Sequence, residues 1–207
     1  MDDLRGREGG VLRYPGRALV VVAGLPGAGK STLLRRVYGL TGAESESVRE
    51  DGVEVLDSQQ ARNRLARWLW WSPYPLWRPL VHLWYLAGMW AALRRPGAVV
   101  LHDCGTRRML LLMLCAAAGR LGREVHLVMI DVPPALARAG QYRRGRLVGG
   151  RSFATHCRRW TALTDAVRHS PGTAVPGVTS AVLLDRTAAA RVAGFAFGAH
   201  PVDSATR

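Results

Sequence analysis

Apolar residues along the chain fall into short blocks, and helical segments fill the intervals between them. Five blocks read as strands: Leu19 to Ala23, Val53 to Leu56, Ala98 to Leu101, Val125 to Ile130 and Thr179 to Leu184. Helical spacing is predicted over Ser31 to Tyr38, Ser58 to Trp70, Trp77 to Arg94, Arg107 to Gly119, Ala135 to Tyr142 and Phe153 to His169. Strands alternating with helices imply an α/β fold, a parallel sheet with helical crossovers on both faces. Glycine and proline punctuate the pattern at Thr41 to Gly52, Ser72 to Pro75, Arg95 to Gly97, Pro133-Pro134 and Ser170 to Gly177. The chain divides into a polar lead-in (1–16), one domain (17–185) and an alanine- and glycine-rich tail (186–207), with no internal repeat. Six of the seven tryptophans lie between Trp68 and Trp90. Leu80, Leu83, Trp84, Ala87 and Ala91 keep helical spacing, which predicts that this face packs on the sheet with tryptophan supplying bulk; the alternatives are an apolar substrate pocket and a membrane-facing patch.

Between the first strand and the first helix lies Gly24-Leu25-Pro26-Gly27-Ala28-Gly29-Lys30-Ser31-Thr32, which satisfies the P-loop pattern G-x-x-x-x-G-K-[ST]. Lys30 is the only lysine; the other 28 of the 29 basic residues are arginine. A compact ammonium on a flexible stem can follow a phosphate group through transfer in a way a planar guanidinium cannot. Glycines let backbone N–H groups converge on phosphates, and the helix that follows presents its positive end. The segment therefore predicts nucleoside triphosphate binding. Lys30 would neutralise the outer phosphates, Ser31 would offer a hydroxyl to Mg²⁺, and Thr32 would contact the α-phosphate through its backbone.

Net charge is +14 with a pI near 11.3, which points to anionic partners: nucleotide, nucleic acid, a phosphorylated metabolite or an anionic membrane surface. Cys104, Cys115 and Cys157 lack C-x-x-C spacing and read as reduced thiols rather than a zinc site. The charged start, Met1 to Arg5, has no apolar core of a signal peptide, so a cytoplasmic setting is expected. Pro79 to Leu93 is too short to span a bilayer, and no transmembrane segment is predicted.

Asp57 and Asp103 close the second and third predicted strands, on the edge where an open parallel sheet binds ligands. The apolar run into Asp103 resembles a magnesium-positioning Walker B strand. Asp103 is followed by Cys104, so the Asp-Glu pair of hydrolytic ATPases is missing, and neither Asn-Lys-x-Asp nor Leu-Ser-Gly-Gly-Gln occurs. These absences favour small phosphotransferases over motors and GTPases. Arg138, Arg143, Arg144, Arg146 and Arg151, interspersed with glycines, suit a closing lid over about 138–151 that stabilises the transferring phosphoryl group.

Taken together, the P-loop, Leu56-Asp57-Ser58 with Arg62, His102-Asp103, and Ile130-Asp131-Val132-Pro133 leading into Arg143-Arg144-Gly145-Arg146 resemble the P-loop kinase group. That group includes zeta toxins, bacteriophage polynucleotide kinase and chloramphenicol phosphotransferase. The resemblance spans roughly Arg17 to Leu163; only the P-loop is highly specific. It implies a three-layer P-loop NTPase fold with a parallel five-stranded sheet of order 2-3-1-4-5, and ATP and Mg²⁺ as cofactors. It also implies that Asp103 organises Mg²⁺, that Asp57 is the general base nearer the acceptor, that Arg62 orients the acceptor, and that Arg143 and Arg146 serve in the lid. Two departures stand out. The group often has Asp-x-x-Arg, whereas Asp57 and Arg62 are five apart, with Ser58 or Gln59 where a carboxylate would stand; and Gly140-Gln141 occupies the place of a lid arginine. The leading expectation is a Mg²⁺-dependent kinase transferring the γ-phosphoryl group of ATP to a hydroxyl of a small or nucleic-acid acceptor. Its rival is an ATP-binding regulatory protein that does not turn ATP over and associates with nucleic acid.

Overall fold

The run Leu19–Gly24 is buried at every position, and the sheet is built outward from it. The computed structural model describes residues 1–7, 10–145 and 147–198, with Pro75 described by its backbone alone. In chain order the elements are β1 (Asp2–Asp3), β2 (Val11–Pro15), β3 (Leu19–Gly24), α1 (Lys30–Tyr38), β4 (Val48–Glu50), β5 (Val53–Leu56), α2 (Ser58–Leu69), α3 (Tyr74–Arg94) and β6 (Ala98–His102). They continue with α4 (Arg108–Arg120), β7 (Val125–Ile130), α5 (Pro134–Tyr142), α6 (Gly150–His169), α7 (Pro171–Ala174), β8 (Val178–Leu184), α8 (Arg186–Arg191) and β9 (Gly194–Gly198).

Strand order is β1-β8-β7-β3-β6-β5-β4, with β2 and β9 forming a separate parallel pair. The five predicted strands are present as β3, β5, β6, β7 and β8, in the expected order 2-3-1-4-5. The sheet is wider than five strands and not wholly parallel. β1 adds in parallel outside β8, and β4 adds antiparallel outside β5. Both additions are short and polar, so no hydrophobic run announces them. The β4–β5 turn is Asp51-Gly52, with φ of 48° and 78°, the left-handed pair that a two-residue hairpin requires. Residues of the lead-in supply β1 and β2, and the segment from Arg186 supplies α8 and β9. Tyr14 on β2 packs against Phe195 and Phe197 of β9, with ring centroids 6.2 and 6.0 Å away.

The chain leaves β3, builds β5 and β6 on one side, and then crosses to build β7 and β8 on the other. Order reverses at β3, where a ligand crevice forms beyond the carboxyl ends of the strands. Register sets what stands there: Val22 lies opposite His102, and Leu56 opposite Leu101. Asp57, just past β5, and His102, the last residue of β6, thus occupy adjacent places at the carboxyl edge.

Helix α3 begins earlier than predicted and includes Pro79. Its buried stripe is Trp77, Val81, Tyr85, Met89 and Leu93. The predicted packing face, Leu80, Leu83, Trp84, Ala87 and Ala91, is the exposed one. Arg123 is buried in the opposite region and donates to the carbonyls of Leu93 (2.8 Å), Arg17 (2.9 Å), Gly97 (2.7 Å) and Arg95. One guanidinium thereby ties together the loop before β3, the end of α3 and the entry to β6. Among the described residues no helix is long and apolar enough to cross a membrane.

Candidate functional site

The P-loop turns from β3 into α1 through glycines that no other residue could replace. Gly27 has φ 91°, and a Cβ there would run into the Ala137 carbonyl oxygen of α5. Gly140 answers it from the other side, since its own Cβ would strike the Gly27 carbonyl oxygen. Loop and helix α5 therefore meet backbone to backbone. That contact accounts for a glycine and a glutamine where a lid arginine was expected. Gln141 is buried, donates Nε2 to the Pro26 carbonyl at 2.9 Å and accepts the Val148 N–H at 2.9 Å, so it couples the P-loop to the segment following α5.

Gly29 is the N-cap of α1, with φ 116°, no capping side chain and no acidic residue in the first turn. The first N–H groups of the helix are left as an anion cradle. Lys30 is buried behind it and donates from Nζ to the carbonyls of Gly24 (2.7 Å) and Leu25 (3.0 Å). Burial pushes its ammonium down to about 8, against the opposing pull of Cys104, Asp103 and Asp57. A buried cation with a depressed pKa beside open N–H groups fits a phosphate chain.

Two cavities flank this loop. One, of about 450 Å³, lies between the P-loop, α1, the end of α5 and α8; Thr32, Arg36, Arg143, Arg144 and Arg186 border it. The other, of about 420 Å³, is bordered by Gly27, Ser31, Arg35, Asp57, His102 and Arg144 among others. Asp57 does two things there. It caps α2 in a reciprocal capping box, Oδ1 accepting the Gln59 N–H at 2.9 Å while the Gln60 side chain accepts the Asp57 N–H at 3.0 Å. Oδ1 also lies 2.7 Å from His102 Nδ1. Burial works to raise the Asp57 carboxyl, but His102, the Gln59 N–H and Lys30 together hold it far below the usual carboxylate range. The main chain of His102 is fixed in turn, because Tyr85 Oη donates to its carbonyl at 2.6 Å.

The remaining predicted residues are spread more widely. Ser31 borders the second cavity, while Leu25 and Ala28 are buried in the loop. Asp103 follows β6, and its Oδ2 accepts the Gly105 N–H at 2.8 Å; it borders neither cavity, though its charge reaches Lys30. Arg143 borders the first cavity, and Arg146 lies outside the described residues. Arg138 is turned away, donating to the Val148 carbonyl at 2.7 Å and lying over the Phe153 ring. Arg62, expected to orient the acceptor, sits 4.5 Å over the Tyr74 ring and borders neither cavity. Three contributors carried no signal of their own: His102 as partner of Asp57, Gln141, and Arg186, which donates to the Gly27 and Leu136 carbonyls at 3.1 Å from the predicted tail. Among the described residues no group of three or more His, Cys, Asp and Glu could hold a metal ion, so any cation here would lean on phosphate and water oxygens as well as Ser31.

No curated protein matches the chain. Among solved structures, a chain from the PezAT chromosomal toxin–antitoxin system of Streptococcus pneumoniae superposes with a TM-score of 0.56 at 10% identity, covering 86% of this chain and 70% of that one. The tunicamycin resistance protein of Deinococcus radiodurans is 17% identical, with a TM-score of 0.43 over 72% of this chain and 80% of that one. The first of these shows a shared fold. Residues 19–168, most of the chain, match the family model described as AAA domain. With its P-loop at the start of that span, the chain belongs to the AAA domain family.

Proposed function

We propose that the protein is an ATP- and Mg²⁺-dependent phosphotransferase acting on a hydroxyl-bearing acceptor. One observation carries the reading: Ser31 and the P-loop backbone share a single cavity with Asp57 and His102. ATP with Mg²⁺ supplies, when bound, the transferable phosphoryl group. The backbone of Gly24 to Thr32 binds the phosphate chain, and Lys30 places its ammonium against the outer phosphates. Ser31 would offer its hydroxyl to the cation, and the charge of Asp103, from beyond β6, would help keep Lys30 protonated. Arg143 and Arg144 offset charge from the first cavity, with Arg146 as a further lid arginine.

The acceptor enters on the Asp57 side. With His102 Nδ1–H donating to Asp57 Oδ1, Nε2 is the basic nitrogen and takes the acceptor's hydroxyl proton. Asp57 fixes that tautomer and stabilises the imidazolium. Base function is thus shared by the pair, with Asp57 acting through His102. The close approach of Gly27 and Gly140 holds the P-loop against α5 on the phosphate side.

A second reading, ATP binding without transfer, is favoured by Arg62 lying on Tyr74 instead of in the acceptor cavity. One experiment separates the two. The full chain, Lys30→Ala and Asp57→Ala are incubated with radiolabelled ATP, Mg²⁺ and cell extract. Phosphotransfer predicts labelled product from the wild-type chain and loss in both variants. ATP binding with equal label in all three samples would end the enzymatic reading.

A further inference from the structure

Between Asp57 and Asp103 the chain contains no aspartate or glutamate and six arginines, at 62, 64, 67, 78, 94 and 95. This is the segment that forms the α2–α3 hairpin. Arg64 pairs with Glu46 and Arg95 with Glu54. Arg62, Arg67, Arg78 and Arg94 make no ion pair among the described residues.

The end of α2, the turn and the start of α3 carry Trp68, Trp70, Trp71 and Leu76, which are 77%, 81%, 71% and 73% exposed. From Leu76 the apolar surface continues down α3 through Leu80, Leu83 and Trp84, one stripe at helical spacing about 12 Å long. This exposure is not a matter of helix rotation. The opposite stripe of α3, from Trp77 to Leu93, is buried in the core, and α2 is fastened to α3 by Arg62 over Tyr74 and Arg64 over Trp84. The hairpin cannot roll to hide its tryptophans without leaving the sheet.

We infer that this face docks on an anionic lipid bilayer. Tryptophan favours the interface between hydrocarbon and headgroups, where its ring is buried and its N–H stays wet. Exposed arginines beside it reach anionic headgroups, while their stems lie along apolar surface. The face lies on the bilayer and does not enter as a span, since no helix among the described residues is long and apolar enough to cross. A second copy of the chain is a poor occupant, because two such faces would bring Arg67, Arg78 and Arg94 against their counterparts, and the acidic residue beside the face, Glu46, is already paired with Arg64. Trp84 also borders, with Asp57 and Gln60, a cavity of about 380 Å³, so docking brings the Asp57 side of the site toward the lipid surface.

The test uses the full chain with sedimenting vesicles of phosphatidylcholine, alone or with phosphatidylglycerol, and reads tryptophan emission alongside. Binding to the anionic vesicles with a blue shift, and little binding to phosphatidylcholine alone, is expected. Trp70→Ser with Trp71→Ser should weaken it at least about tenfold. Arg67→Gln with Arg78→Gln should weaken it roughly 30-fold, with both double variants keeping ATP affinity as proof of folding. No binding to anionic vesicles at low salt overturns the inference. So does binding that survives both double substitutions, because the lipid-facing surface then lies elsewhere. Concentration-dependent self-association or capture of an acidic protein, abolished by the tryptophan substitutions while vesicles are ignored, overturns it as well.

Discussion

Replacing Lys30 by methionine isolates the energetics of the P-loop ammonium. Held at about 8 in the folded chain against 10.5 for an ordinary lysine, the ammonium still predominates at pH 7, but folding disfavours it relative to the neutral amine by about 3 kcal/mol compared with the unfolded chain. Lys30→Met removes that penalty but strands the Gly24 and Leu25 carbonyls, each an acceptor whose loss of a partner costs about 1–3 kcal/mol. These effects oppose each other and are similar in size, so one measurement at neutral pH decides nothing. Their pH dependence differs. Between about pH 8 and 10.5 the unfolded chain still binds the lysine proton and the folded chain has released it, so stability contributed by Lys30 rises with pH across that window. Buried Tyr14, Tyr38 and Tyr85, whose phenols burial raises, titrate in both proteins and cancel in the difference.

Urea unfolding of both proteins at several pH values provides the assay. The wild-type chain should gain about 3 kcal/mol over the variant between pH 7 and 10.5. Profiles that run parallel refute a buried ammonium. ATP supplies a second arm, because phosphates beside Nζ restore the charged form. At pH 8, titration calorimetry in buffers of different ionisation heat should report uptake of about half a proton per ATP, falling toward none at pH 7. Binding with no buffer-dependent heat at pH 8 would place the phosphates away from Lys30.

Three further outcomes follow from the same geometry. Asp57→Asn should lower phosphotransfer by about 10²–10⁴-fold while leaving ATP affinity nearly unchanged, checked by turnover and binding side by side. Because the folded Asp57 carboxyl lies below the ordinary 3.8, the stability it contributes is complete above about pH 4 and is lost as pH falls toward the folded value. Acid unfolding of Asp57→Asn should lack that component. Gly140→Ala drives a methyl into the Gly27 carbonyl and should weaken ATP binding by about tenfold or more, with far-ultraviolet dichroism unchanged. Arg123→Met leaves four carbonyls without their donor and should cost about 3–5 kcal/mol in urea unfolding, with no direct effect on the P-loop.

What the sequence discloses here is whatever a local period or a contiguous motif can carry. The P-loop and the five main strands belong to that class, because each strand is a short, mostly apolar run and the loop's chemistry sits within consecutive residues, whereas the strand order follows only from the resemblance of the motifs to the P-loop kinase group. Helix α3 shows where this reasoning ends. It is apolar on nearly every side, so the spacing of Leu80, Leu83, Trp84, Ala87 and Ala91 is as regular as that of Trp77, Val81, Tyr85, Met89 and Leu93. The choice between stripes is made by the position of α3 on the sheet, where Tyr85 reaches the His102 carbonyl at the end of β6. Sequence patterning offers nothing to break that tie.

The same limit explains the site. Asp57 is legible as a strand-end residue and His102 only as the neighbour of Asp103; their pairing depends on Leu56 standing opposite Leu101, a register between strands some forty residues apart. Gly140 looked like a missing arginine until Gly27 came to lie against it, and Arg62 looked like an acceptor ligand until Tyr74 offered its ring. In each case a long-range neighbour changes what the residue can do while its local pattern stays the same. A one-residue slip of β5 against β6 would separate the carboxylate from the imidazole and leave the P-loop intact. Nucleotide binding and proton transfer thus rest on separable parts of the fold, and Asp57→Asn and Lys30→Met should fail in different steps.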